Sequence, residues 1–153
     1  RYFQAYTRYR QGGYEAAAGQ IKRLMRGAPV AVRGRLQNII RSAHELRGMQ
    51  HLRRGKHRAA QKQFKTARTY GLSRQGNHNL AVSLYRSGKR GQAMRIWQGG
   101  AMPAKALCNV GTHYDNSGNP QMAYKFYTRC QKRGGAGGDI VKRIKTIKRI
   151  FGY

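Results

Sequence analysis

The sequence predicts an all-α protein, an α-solenoid of about four helix-turn-helix hairpins followed by a basic amphipathic C-terminal helix. Three observations carry this expectation. One residue pattern occurs four times: a small residue, Gly seven later, Ala five after that, and a bulky residue four beyond the Ala. The copies are Ala5, Gly12, Ala17, Ile21; Gly48, Gly55, Ala60, Phe64; Ala81, Gly88, Ala93, Trp97; and Gly111, Gly118, Ala123, Tyr127. Outside the pattern, Leu36, Ile39, Ile40, Ala43, Leu46, Met49 and Leu52 keep the three-and-four spacing of one helix face. Composition argues against a single large core, because 39% of residues are hydrophobic and 20 of 153 are Gly, against averages of ~45–50% and ~7%.

The elements follow in order. Helices are expected at about 1–11, 14–26, 30–54, 56–70, 74–87, 89–99, 103–117, 120–133 and 140–151, giving hairpins over about 1–26, 30–70, 74–99 and 103–133. The pattern glycines recur at intervals of 43, 33 and 30 residues, and each is expected to turn one helix into the next. The long first interval is explained by a two- to three-turn N-terminal extension of the third helix, expected to project from the stack. Pro29 and Pro120 suit first-turn positions, where a missing N–H costs nothing, and Asn119 can cap the helix that Pro120 opens. In the third copy Gly100 stands where the second has the packing residue Ala67. Gly134, Gly135, Gly137 and Gly138 form a glycine-rich joint over 134–138. Beyond it, Asp139 can cap a helix over 139–153 whose apolar stripe is Ile140, Ile144, Ile147 and Ile150. That helix can fold over the last hairpin as a cap, swing to an adjacent copy, or lie on a membrane surface.

The pattern resembles the tetratricopeptide repeat, a helix-turn-helix unit of about 34 residues with a small residue in its first helix and Ala-x-x-x-Phe in its second. The match is best over Asn79 to Trp97 and Leu107 to Cys130, where Gly111, Tyr114, Gly118, Ala123 and Tyr127 fall on family spacings, and it covers roughly residues 1–133. The resemblance implies stacked hairpins, each burying its face only against its neighbours. It also implies a peptide-binding adaptor as one function, with a groove lined by first helices that carry Tyr85, Arg86 and Lys105.

Charge supplies the strongest functional expectation. Thirty-two Lys and Arg face only four acids, Glu15, Glu45, Asp115 and Asp139, for a net charge of +28. A polyanion must supply the missing charge, since unpartnered bases repel one another and destabilise a compact state. Position within the repeat marks a site: Lys62, Arg95 and Lys125 each lie two residues after the repeated Ala, where the first copy has Gly19. One turn later come Lys22, Arg23, Lys65 and Arg129, then Arg26, Arg68, Lys132 and Arg133 at the helix ends. Stacked hairpins would align these into a ladder, and Lys142, Arg143, Lys145, Lys148 and Arg149 extend the basic set into the C-terminal helix. The ordinary alternative, a solvated helix face, mixes both signs of charge.

Nucleic acid is the expected polyanion. No base-reading module is visible, so binding to the backbone with low sequence specificity is expected, with a single strand favoured over a duplex. Tyr2, Tyr6 and Tyr9 share one face of the first helix and, with Tyr85, are candidates for stacking on bases or for contact with another subunit. An exposed aromatic end favours head-to-tail self-association. The expected product is a nucleoprotein filament or particle, or a subunit of a ribosome-like particle of an organelle or bacterium.

Other chemistries are poorly supplied. Four scattered acids give no carboxylate pair for glycosidase chemistry. His44, His51, His57, His78 and His113 form no His-Glu-x-x-His motif, and Cys108, His113 and Cys130 do not follow a zinc spacing. Gly-Gly-Ala-Gly-Gly lacks the Gly-Lys-Ser/Thr of a phosphate-binding loop. We therefore expect no enzyme activity, metal or cofactor. No apolar run approaches the ~18 residues that suggest a membrane span. Cys108 and Cys130 fall at adjacent ends of antiparallel helices, either bridged or as two buried thiols. A bridge would imply an oxidising, extracellular setting, and free thiols an organelle matrix or cytoplasm. Position 1 is Arg rather than Met, from which we expect a preceding signal or transit peptide or a larger precursor.

Overall fold

A computed structural model gives the fold and describes residues 1–99 and 102–153. The packing position anticipated at Gly100 lies outside the described residues, as does the side chain of Tyr2. The protein is all-α. Among the described residues the elements are α1 (Tyr2–Arg10), α2 (Tyr14–Met25), α3 (Val30–Arg53), α4 (His57–Arg68), α5 (Arg74–Arg86), α6 (Arg90–Gln98), α7 (Ala104–Asn116), α8 (Pro120–Lys132) and α9 (Gly138–Phe151). They fall into two compact units, Arg1–Arg90 and Gly91–Tyr153. Among the described residues no helix is long and apolar enough to cross a membrane.

The fourfold pattern falls on turns and helices position by position. Gly12, Gly55, Gly88 and Gly118 all have φ between 69° and 87°, the left-handed region that a side chain disfavours. The Ala positions 17, 60, 93 and 123 are fully buried, and Ile21, Phe64, Trp97 and Tyr127 are buried one turn further on. The small positions let partner helices close. A Cβ on Gly48 would lie 2.8 Å from Phe64 Cε1, and one on Gly111 only 2.5 Å from Tyr127 Cδ1.

In the first unit consecutive helices α1 to α5 pack in turn, and α3 also meets α5. Ala5, Ala18, Ile21, Leu36, Ile40 and Ala43 form the core between α1, α2 and α3. The anticipated extension of α3 therefore projects only in part. Val30 to Arg35 are exposed, but from Leu36 onward the extra turns pack on α2, since apolar Leu36, Ile39 and Ile40 find cover there. Pro29 sits at the N-cap and not in the first turn.

A polar clamp holds α5 to α3. The Ser73 N–H and hydroxyl donate to the two carboxylate oxygens of Glu45, each at 2.8 Å, while Ser73 Oγ accepts from the Gly76 N–H at 2.9 Å as the helix N-cap. One carboxylate thus orients the cap of a neighbouring helix, a charge-assisted arrangement.

In the second unit α7 packs on α8 and α8 on α9. Pro120 opens α8 and Asn119 Oδ1 accepts from the Met122 N–H at 3.1 Å, as the sequence predicts. Cys108 and Cys130 are joined in a disulfide with Cα atoms 5.4 Å apart. The glycine joint is packed at its start: a Cβ on Gly135 would meet Ala104 Cβ at 2.7 Å and Cys130 Sγ at 2.9 Å.

The C-terminal helix is docked on the final hairpin. Ile144 and Ile147 are buried with Ala123 and Tyr127, and Ile140 packs beside them. Ile150, the fourth member of the anticipated stripe, is instead 61% exposed. Asp139 does not cap α9; the cap is Gly137, and Asp139 lies in the first turn, where a negative charge still favours the helix dipole.

Candidate nucleic-acid interface

All sixteen basic residues singled out from the sequence are exposed. Ordering among them differs between the units. In the first unit, Lys22 from α2 meets Lys62 and Lys65 from α4 around an open cleft of about 730 Å³. Arg58, Gln61, Thr66, Thr69, Tyr70 and Lys89 complete its lining. Five cations thus surround one space, and no acid lines it.

Local sequence explains the convergence. Arg58, Lys62 and Lys65 are spaced four and three apart on α4, which puts them on one helix face. Lys89 follows the left-handed turn at Gly88 and lies in the connection between α5 and α6. Gln61, buried on the same helix as Lys62, fixes that turn. Its amide donates to the Ser83 carbonyl at 3.2 Å and to Ser87 Oγ at 2.9 Å, and Ser87 Oγ donates to the Leu84 carbonyl at 3.0 Å. Thr66 and Thr69 donate their hydroxyl protons to the carbonyls of Lys62 and Thr66, at 3.0 and 2.8 Å.

Three of the four acids are paired elsewhere. Glu15 pairs with Arg47 and Glu45 with Arg41, each at 3.9 Å. Asp115 takes a bidentate pair from Arg143, with Nε to Oδ2 at 2.7 Å and Nη2 to Oδ1 at 2.6 Å. The hydrogen bonds from Arg143 hold the Asp115 carboxyl below its usual range against the opposing effect of burial, and the same bonds raise the Arg143 pKa. The pair therefore stays charged into acid pH. Arg143, anticipated as a phosphate contact, locks α9 to α7 in this structure.

The remaining predicted cations are placed as follows. Arg23 lines a separate cavity of about 360 Å³ with Arg1, Gln4, Gln20 and Leu24. Arg26 and Arg68 sit exposed at the ends of α2 and α4. In the second unit, Arg95 lies on α6, and Lys125, Arg129, Lys132 and Arg133 lie on or just after α8. The Arg129 guanidinium rests 5.4 Å from the centre of the Phe126 ring. Lys142, Lys145, Lys148 and Arg149 are displayed along α9.

The aromatic candidates separate by burial. Tyr6 is 44% exposed and Phe3 78%. Tyr9 packs against the first core, with its ring edge-on to Tyr14 at 5.4 Å, so it belongs to the interior of the unit. Burial is the main cause raising its hydroxyl pKa, followed by Tyr14, Tyr6 and Glu45. Tyr85 is half-buried with the Arg90 guanidinium 5.5 Å from its ring centre. On α3, burial followed by the nearby Arg47, Lys56 and Arg54 lowers the pKa of His51. Burial likewise raises that of Tyr127, whose hydroxyl reaches Thr112 and Asp115 at 3.3 Å.

Arg58 was not among the residues singled out from the sequence, although its place one turn before Lys62 is a signal that could have found it. Lys89, Thr66, Thr69 and Tyr70 were not legible, because their approach to Lys22 depends on how α2, α4 and the end of α5 stack. Among the described residues no group of His, Cys, Asp and Glu side chains could hold a metal ion. Compared with protein-family models and with curated proteins, the sequence matches none of them.

Proposed function

We propose that the protein is a non-enzymatic nucleic-acid-binding subunit. It grips the phosphate backbone through Lys22, Arg58, Lys62, Lys65 and Lys89, with the exposed cations of the second unit adding non-specific attraction, and it assembles into a nucleoprotein filament or particle. The observation that carries this reading is the cleft, where five cations from α2, α4 and the turn after α5 converge with no acid among them. A phosphodiester strand laid there relieves their mutual repulsion and releases its own counterions. The imbalance of 32 bases to four acids supports the same reading at the level of the chain. Backbone contacts carry no sequence information, so base preference is expected to be weak. The resemblance to tetratricopeptide repeats supports a stacked scaffold for such a surface, and exposed Phe3, Tyr6 and Val30 supply apolar area for subunit contact.

The test is charge reversal in the cleft. Lys62→Glu with Lys65→Glu is expected to weaken binding to a mixed-sequence oligonucleotide at least tenfold and to lower the slope of log affinity against log salt by about two. Helical circular dichroism is expected to stay unchanged, because both side chains are exposed. Unchanged affinity and slope would reject the cleft as the site.

A further inference from the structure

The C-terminal end of α9 carries a feature that the backbone-binding reading does not use. Three aromatic rings gather there: Tyr153 lies 5.1 Å from Tyr124 and 6.2 Å from Phe151, the latter pair inclined by only 21°. Their placement is built in. Gly152 ends the helix at φ 73°, its N–H donating to the Lys148 carbonyl at 2.9 Å, and this left-handed turn folds Tyr153 back toward α8. The helix is held beneath by Ile144 and Ile147 and by the Arg143 to Asp115 pair. Phe151 and Tyr153 are nevertheless open, at 51% and 39% exposed, next to Ile150 at 61%, while Tyr124 is half-buried against the second core and backs them.

The surroundings decide what can cover these rings. Lys148 stands one turn before Phe151 and adjoins it on α9, Lys145 lies one turn before Lys148, Arg149 is exposed in the last turn, and exposed Lys125 is next to Tyr124 on α8. In this unit Asp115 is consumed by Arg143, and Asp139 opens the opposite end of α9, twelve residues and about 18 Å from Phe151. A second copy docking here with no anion between would set its basic surface against Lys145, Lys148 and Arg149, which have no free acid beside them. A lipid surface would need the apolar stripe of α9, and Ile144 and Ile147 are already buried on α8. An occupant that is flat and apolar on its faces yet strongly anionic along its edge satisfies both the rings and the cations.

We propose that Phe151 and Tyr153, backed by Tyr124, form a stacking platform for the unpaired bases of a single strand, with Lys145, Lys148 and Arg149 holding its phosphates. This rests on the nucleic-acid reading and adds a base-contacting site in the second unit. A duplex keeps its base faces inside the stack, so the platform selects single-stranded over double-stranded nucleic acid.

The experiment compares the full chain with a Phe151→Ala, Tyr153→Ala variant on three labelled probes: an oligothymidylate, an abasic oligonucleotide of equal length, and inorganic polyphosphate. The wild type is expected to bind the base-bearing strand about tenfold or more tighter than the abasic one, as stacking on even one ring implies. The variant is expected to lose that margin while keeping its affinity for the abasic strand and for polyphosphate. A Phe151→Trp, Tyr153→Trp variant, which keeps rings at both places, is expected to retain it. Equal binding of base-bearing and abasic strands by the wild type would overturn the platform and leave the backbone reading standing. Equal loss on all three probes by the alanine variant would also overturn it. Failure of the wild type to bind any strand, or ring-dependent binding to phosphatidylserine vesicles alone, would overturn both readings.

Discussion

Gly48 and Gly111 stand where partner helices come closest, and their role is steric. Both lie inside helices, where Gly costs about 1 kcal/mol relative to Ala. Against that stands the ring of Tyr127, 2.5 Å from where a Cβ on Gly111 would sit. The ring is 2% exposed and its hydroxyl is tied to Thr112 and Asp115, which leaves it little room to withdraw. Overpacking of this kind costs ~1–3 kcal/mol. Gly111→Ala is therefore expected to lower stability despite its better helix propensity, whereas Gly19→Ala, with nothing within 4 Å, is expected to raise it by about 1 kcal/mol. Urea titration of the two variants checks this, and stabilisation by Gly111→Ala would contradict the packing. The small, turn, Ala and bulky positions were all legible in the sequence, because a fixed spacing repeated four times reports local geometry. The clamp from Glu45 to Ser73 and the lock from Arg143 to Asp115 were not, since each joins residues 28 apart and depends on tertiary stacking.

At the scale of the element, the last hairpin and α9 form the most cross-linked part of the chain. The Cys108 to Cys130 bridge closes a loop with a sequence separation of 22 and ties the start of α7 to the end of α8. Removing loop-closure entropy from the unfolded chain in this way is worth about 3 kcal/mol for a loop of that size. Replacing both cysteines with Ser is expected to lower unfolding free energy by about that amount. Mass mapping with iodoacetamide under denaturing, non-reducing conditions checks the bridge itself: no alkylation is expected, and two alkylated thiols would contradict it. Helix boundaries here followed from turn glycines and the Asn119-Pro120 start, so α8 was legible to within a residue at each end. The docking of α9 was only one of several readings, because an amphipathic stripe states that a face must be covered and leaves open by what. Ile150 shows the limit of such a stripe. It keeps the spacing of Ile140, Ile144 and Ile147 but stands about 120° around α9 from Ile144, turned off the face that α8 covers.

At the scale of the whole molecule, charge dominates. Residues 1–90 hold 21 of the 32 basic residues against two acids, and the five-cation cleft belongs to that stretch. Three of the four acids are drawn into pairs with Arg41, Arg47 and Arg143, so the protein has almost nothing with which to neutralise its own surface. Composition alone made the need for an anionic partner legible. Which cations converge on one space required the fold, because Lys22, Lys62 and Lys89 are far apart in sequence and meet only when α2, α4 and the end of α5 pack. Binding to nucleic acid is tested by the ratio of absorbance at 260 and 280 nm for natively purified protein, before and after separate RNase and DNase treatment. A high ratio that one nuclease abolishes is expected, with the assembly falling apart as its anion is removed. A protein-like ratio that neither nuclease changes, with assembly intact, would contradict such binding.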